Sequence, residues 1–263
     1  MKELLVIKIG GKLLRGPVMD SHFKNVISLA KRVKHLVIVH GGGLEITEKL
    51  NSLGKKPRFV KGQRYTDAES LEIVEMVLAG INRRIVGRIN LLGGRAVGIS
   101  GKDAFLVEAK KLEGRHDLGY VAEVERVNPE ILYVLLDNGF IPVISSTAMD
   151  RRGVTYNINA DIFAAQFSAA IGAERLFFLT DVPGILENPK DEKSVIEEIR
   201  IEEVEELVRK GTITEGMIPK INSCIQALRK GVKEIDILDG RKKNALLPLL
   251  EKRMKLGGTK IIM

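Results

Sequence analysis

The chain has one cysteine, Cys224, in 263 residues. No internal disulfide can form, which suits a reducing compartment. Tryptophan is absent and aromatic residues amount to 5%, so the stacking platforms that hold nucleic-acid bases are scarce. Four histidines and the lone cysteine, none paired at ligand spacing, argue against a structural zinc site. No apolar run approaches the roughly 20 residues of a membrane-spanning helix. The opening apolar run is short and is interrupted by Lys8 and two glycines, which is wrong for a signal peptide. The expected location is the cytoplasm.

Acids are the minority charge. Lysine and arginine number 42 against 34 acids, for a net charge of +8. The bases are spread along the chain rather than clustered, which points to anionic metabolites or an acidic protein partner instead of nucleic acid. Hydrophobic residues at 44% and charged residues at 29% describe a globular chain. Its length suffices for one large α/β domain or two lobes.

The chain is organised around its opening. Leu4 to Ile9 is a continuous apolar run broken by Lys8 and followed by Gly10 and Gly11. Such a run reads as a buried strand of a parallel sheet. Glycines at its end let backbone N–H groups close on an anion, and lysine supplies a point charge. Leu36 to Val39 repeats the pattern and runs into His40-Gly41-Gly42-Gly43. Two glycine loops at one sheet edge predict a phosphate site.

Helical spacing is expected over 20–33, 46–53, 67–92, 129–138, 160–171, 202–210, 217–230 and 244–253. Strands are expected at 36–40, 96–100, 141–146, 176–181, 234–238 and 259–263, with hairpins at 55–66, 105–124 and around Gly153. This alternation predicts a doubly wound α/β fold, with a mostly parallel central sheet and helices on both faces. A boundary near Gly172 divides it into an N-terminal lobe, 1–172, and a C-terminal lobe, 173–263. The helix from 67 to 92 is apolar nearly all round (Leu71, Ile73, Val74, Met76, Val77, Leu78, Ile81), which predicts a subunit interface and a homodimer.

Common nucleotide fingerprints fail. Gly98 to Asp103 ends like a P-loop, but Ala96 stands where the first glycine is required and Asp103 where serine or threonine would meet magnesium. No G-x-G-x-x-G follows the first strand. The loop at His40 has no G-x-S-x-G to serve as its nucleophile elbow, and His40 reads as a strand-end packing residue rather than a base. What remains is a set of single lysines, glycines and an acid at element ends: Lys8, Lys220 and Asp161. Phosphoryl transfer suits such a set, because it needs positioning and charge compensation more than covalent chemistry.

In chain order, Lys8-Ile9-Gly10-Gly11, His40-Gly41-Gly42-Gly43, Gly62-Gln63-Arg64, Gly98 to Asp103, Asn157 to Asp161, Thr180 to Ile185 and Gly216 to Lys220 resemble the amino-acid kinase family, and within it the branch acting on N-acetyl-L-glutamate. The resemblance implies the fold shared with carbamate kinase, an N-terminal lobe for the acylated amino acid and a C-terminal lobe for ATP with Mg2+, with no metal held by protein ligands. It implies phosphorylation of the side-chain carboxylate to an acyl phosphate. By the same match, Lys8 and Lys220 offset charge on the transferring group and Asp161 holds both lysines. Gly42, Gly43, Arg64 and Asn157 meet the amino acid. Gly10, Gly11, Asp181, Gly184, Leu186, Ile213 and Gly216 meet the nucleotide and its phosphates.

Two departures stand out. Tyr65 follows the arginine where a small apolar residue is commoner, and resembles relatives that phosphorylate aminoadipate or glutamate bound to a small acidic amino-group carrier protein. The basic stretch 55–64 and the positive net charge suit that partner too. The chain also begins directly at its first strand, without the leading helix tied to arginine feedback and hexamers in some relatives. The expectation is therefore a dimer insensitive to arginine.

Overall fold

The computed structural model describes residues 4–16, 18–60, 62–114, 117–188, 190–213, 217–251 and 256–263. Across the central sheet, in spatial order, run β12 (Glu198–Arg200), β14 (Thr259–Ile262), β13 (Glu234–Asp239), β11 (Arg175–Thr180), β1 (Leu4–Ile9), β2 (His35–His40), β8 (Ile141–Ser145) and β5 (Ala96–Ser100). Neighbours are parallel throughout except β13 and β14.

Side chains on β1 alternate between two cores, as a strand buried on both faces requires. Leu4 and Val6 enter one cluster, and Leu5, Ile7 and Ile9 the other. The first cluster is covered by α4 (Glu130–Asp137), α5 (Ala160–Ala170), α6 (Val204–Arg209) and α7 (Ile218–Arg229). The second lies under α1 (Met19–Ala30), α2 (Gly43–Ser52), α3 (Ala68–Leu91) and the single turn α8 (Leu247–Leu250). The expected doubly wound, mostly parallel sheet with helices on both faces is thus present. Lys8 shares the face of Val6 and points toward α5 and α7.

Two expected hairpins combine into something the pattern did not announce. β6 (Val107–Lys111), β7 (Val121–Val127), β9 (Thr147–Met149) and β10 (Thr155–Ile158) close into a small barrel. A separate ribbon, β3 (Phe59–Val60) with β4 (Gln63–Arg64), stands apart from both sheets. Of the helix expected over 244–253, residues 252 and 253 lie outside the described residues, and the described part forms the single turn Leu247–Leu250. Pro248 lacks an N–H and clashes with a preceding turn, so it is tolerated only where a helix begins. Asn244, with φ at 59°, turns the chain just before it.

The order of the strands positions the site. The chain leaves β1 for β2 on one side, and β11 is added later on the other. Residues before Gly172 supply β1, β2, β5 and β8, and those after it supply β11 to β14. Crevices beyond the carboxyl ends of strands flanking such a reversal are where open α/β sheets bind ligands.

Candidate active site

A cavity of about 490 Å3 opens at the carboxyl ends of β1, β2 and β11. The glycines that follow the first two strands form its floor. Gly10 N–H donates to Leu179 O at 3.0 Å, tying the β1 loop to β11. A Cβ on Gly11 would stand 3.3 Å from both Gly42 Cα and Gly43 N, so the two glycine loops lie back to back with room for nothing else. Gly42 precedes α2 and no side chain caps that helix. Its first-turn N–H groups and dipole therefore face the cavity, which suits an anion.

Three charged side chains converge above this floor. Lys8, only 7% exposed, places Nζ 2.6 Å from Asp161 Oδ1. Lys220 Nζ stands 3.6 Å from Asp161 Oδ2. Asp161 is fixed by its helix. Asn159 caps α5, accepting from the Asp161 and Ile162 N–H groups at 2.9 and 3.3 Å. Lys220 lies in the first turn of α7, directly after Pro219. Burial pushes the Asp161 carboxyl upward, but Lys8 and Lys220 together outweigh it and hold the group below the usual aspartate range. Counting the ionised groups that line the cavity among the described residues, Lys8, Lys12, Arg64 and Lys220 face only Asp161 and Asp181. The surplus positive charge suits polyphosphate and carboxylate ligands.

Arg64 enters from the β3–β4 ribbon and is 8% exposed. Its Nη2 donates to Gly43 O at 2.9 Å and to Thr47 Oγ1 at 2.8 Å, and its guanidinium sits 4.7 Å from the centre of the Phe59 ring. Among the described residues, Nη1 is buried without a partner. Burial lowers the pKa of this guanidinium. An unpaired buried donor on a cation at the cavity wall is a ready carboxylate site. Asn157, whose Nδ2 donates to Thr66 Oγ1 at 3.2 Å, lines the same wall.

The residues expected at the nucleotide separate. Gly10, Gly11 and Asp181 line the cavity. Burial pushes the Asp181 carboxyl up, but Lys12, 2.7 Å away, helps bring it below its ordinary value. Gly184 packs beyond the cavity against Thr259 and Val195, and Leu186 bridges Val195 there. The Ile213 side chain is 2% exposed, inside the core with Val204 and Ile221. Gly216 lies outside the described residues. Among the described residues, no group of three or more His, Cys, Asp or Glu is placed to hold a metal ion.

His40 is a packing residue, as its position at a strand end suggested. It is fully buried, accepts from Asn82 Nδ2 at Nε2 (3.1 Å) and donates from Nδ1 to Gly41 O (3.2 Å). Burial drops its pKa to about 4, so it is neutral at physiological pH. Sequence reasoning missed Thr47, Phe59 and Lys12, all at the cavity. Phe59 could have been found, because it stands opposite Arg64 in the ribbon. Thr47 carries no signal until α2 and the ribbon are seen together.

The chain matches the amino acid kinase family over residues 3–239. It is 48% identical over 254 residues to a protein of Archaeoglobus fulgidus named acetylglutamate kinase, covering 92% of this chain and 88% of that one. A Methanothermobacter thermautotrophicus protein of the same name is 45% identical, with 94% and 89% covered. Among solved structures, N-acetylglutamate synthase from Neisseria gonorrhoeae, complexed with coenzyme A and N-acetyl-glutamate, superposes with a TM-score of 0.87 at 24% identity. That alignment covers 99% of this chain but 59% of the synthase chain, and the likeness is one of fold.

Proposed function

The chain belongs to the amino acid kinase family, and from that premise we propose that it phosphorylates the side-chain carboxylate of N-acetyl-L-glutamate with ATP, a step of arginine biosynthesis. The observation that carries this reading is the meeting of Lys8 and Lys220 on Asp161, beside the glycine floor and opposite Arg64. Relatives that share nearly half of its sequence and bear the name acetylglutamate kinase support the choice of acceptor.

The geometry suits the chemistry. A carboxylate oxygen of the acceptor attacks the γ-phosphorus. A new O–P bond forms as the bond to the β,γ-bridging oxygen breaks, and ADP leaves with that electron pair. The acceptor carboxylate is already ionised at neutral pH, so no general base is required, and neutral His40 need not supply one. Charge on the phosphoryl oxygens is offset by the ammonium groups of Lys8 and Lys220, which Asp161 keeps converging. Gly10, Gly11 and the first-turn N–H groups of α2, after Gly42 and Gly43, receive phosphate oxygens. Arg64 Nη1 and Asn157 hold the polar ends of the acylated amino acid. The nucleotide extends over the C-terminal lobe past Asp181 toward Gly184 and Leu186. Mg2+ travels with ATP, bound by phosphates and water.

The alternative acceptor, an amino acid borne by an acidic carrier protein, draws chiefly on Tyr65. That residue is not among those lining the cavity, and its ring is covered by the Arg58 guanidinium at 4.8 Å. The site therefore adds nothing in favour of a carrier. A second copy of this chain is the proposed protein partner, meeting α3 where Met76 is 60% exposed. No helix among the described residues is long and apolar enough to cross a membrane, and the cytoplasm is the proposed location. The test is turnover of ATP and free N-acetylglutamate with hydroxylamine present, which traps an acyl phosphate as a hydroxamate. Product with the free amino acid is the expected result. Turnover restricted to a carrier-bound amino acid would overturn it.

A further inference from the structure

Arg64 is held by a closed ring of hydrogen bonds that leaves one face of its donor fork free. The Thr47 hydroxyl donates to Gly43 O at 2.9 Å and accepts from Arg64 Nη2 at 2.8 Å, while Nη2 donates its other hydrogen to the same Gly43 O at 2.9 Å. Nη2 is thereby engaged twice within the protein. Phe59 closes one face of the guanidinium at 4.7 Å. Among the described residues Nη1 is buried and has no hydrogen-bond partner. Thr47 lies on α2, one turn after the uncapped start of that helix, so the same ring ties Arg64 to the loop that faces the phosphates.

We propose that Thr47 is a positioning residue for the amino-acid substrate: its hydroxyl locks Arg64 Nη2 onto Gly43 and so fixes the guanidinium plane from which the unmatched Nη1 meets a substrate carboxylate. Phe59 supports the same orientation from the ring side. This role rests on the acceptor reading given above. Without the hydroxyl, Nη2 has one acceptor for two hydrogens. It would then compete with Nη1 for the substrate, or the planar fork would rotate and lose its aim. The arrangement also explains why a buried cation is tolerated with no acidic partner among the described residues. Two protein acceptors, an aromatic face and an incoming carboxylate together replace the water it has lost.

The test compares Thr47→Val, which removes the hydroxyl at constant shape, with Thr47→Ser, which keeps it. Thr47→Val should raise KM for N-acetylglutamate at least about 10-fold. The KM for ATP should stay within about twofold and kcat should fall far less than KM rises, because the phosphoryl clamp does not involve this residue. Thr47→Ser should restore KM to near the wild-type value, and Phe59→Leu should raise it by about 3-fold. Calorimetric binding of N-acetylglutamate to the nucleotide-free protein should weaken in parallel. A Thr47→Val enzyme with unchanged KM, or equal losses for both substrates, would overturn the role while leaving the acceptor intact. A wild type that neither binds nor phosphorylates N-acetylglutamate would overturn the acceptor and this role with it.

Discussion

Lys8 Nζ and Asp161 Oδ1 stand 2.6 Å apart, the first on a central strand and the second in the opening turn of a helix on one face of the sheet. Neither residue is remarkable in the sequence alone, since strand-end lysines and first-turn aspartates are ordinary features. Their meeting, with Lys220 arriving from a second helix at 3.6 Å, makes one carboxylate the organiser of two ammonium groups.

Replacing that carboxylate by its amide tests the organisation directly. Asp161→Asn keeps the shape but leaves two cations facing one another without a counter-charge, so both side chains swing apart. The expected result is a fall in kcat of about 100-fold or more, with both KM values changed far less. A variant with near-normal kcat in the hydroxamate assay would remove Asp161 from this role. Stability gives an independent reading of the same group. Its folded pKa lies below the unfolded value, so its contribution is present above the ordinary aspartate range and disappears as pH falls through the folded value. The acid-side loss should be shallower in Asp161→Asn than in the wild type.

His40 makes a second, separate pH prediction. Folding lowers its pKa from 6.5 to about 4. The unfolded chain takes up a proton on this residue below about pH 6.5, while the folded protein resists until about pH 4. Stability is therefore complete above the higher value and lost as pH falls between the two. A gap of about 2.5 pH units, at about 1.4 kcal/mol each, amounts to about 3.5 kcal/mol. Urea titrations at pH 7 and pH 4 should show that extra loss in the wild type and not in His40→Gln. Equal losses in both proteins would contradict it.

The sequence carried the strands, the helix faces and the lysines because each is a local signal. Leu4 to Ile9 and Leu36 to Val39 are apolar runs that end in glycine, and their alternation into two cores follows from the pleat. Closure of β6, β7, β9 and β10 into a barrel was not legible, since pairing between distant hairpins leaves no periodic trace. The ring around Arg64 was hidden for the same reason: Thr47 and Phe59 belong to different elements and meet only after folding. Pro248 is a local signal too, and it confines the last helix to the single turn Leu247–Leu250.

Gly98 belonged to a motif whose physical purpose only the fold reveals. A Cβ at this position would stand 1.8 Å from Asn82 Oδ1 and 2.9 Å from its Cγ. Asn82 is 5% exposed, and its Nδ2 donates to His40 Nε2 at 3.1 Å and to Val143 O at 2.9 Å. Gly98→Ala must push that side chain away and leave buried polar groups unpaired, at a cost of about 2 kcal/mol or more. The denaturation midpoint should drop accordingly. Adding Asn82→Ala to Gly98→Ala should cost less than the sum of the two single changes, because both remove the same bonds. Strict additivity would show that the methyl group is accommodated elsewhere.

Arg64→Lys separates charge from shape at the amino-acid end of the cavity. Lysine keeps the positive charge but not the planar fork. It cannot tie Gly43 O and Thr47 Oγ1 with one nitrogen while presenting another to the cavity, and it loses the broad contact over Phe59. If Arg64 served only to balance charge, the variant would behave nearly as the wild type does. If its unpartnered Nη1 receives the substrate carboxylate, KM for N-acetylglutamate should rise by about 10-fold or more. The KM for ATP should stay within about twofold, because Lys8, Lys220 and the glycine floor are untouched. The fall in kcat should be smaller than the rise in KM, since the carboxylate held by Arg64 is remote from the one that attacks phosphorus. Steady-state kinetics with each substrate varied in turn decides between the two, and an unchanged KM for the amino acid would show that Arg64 contributes charge alone.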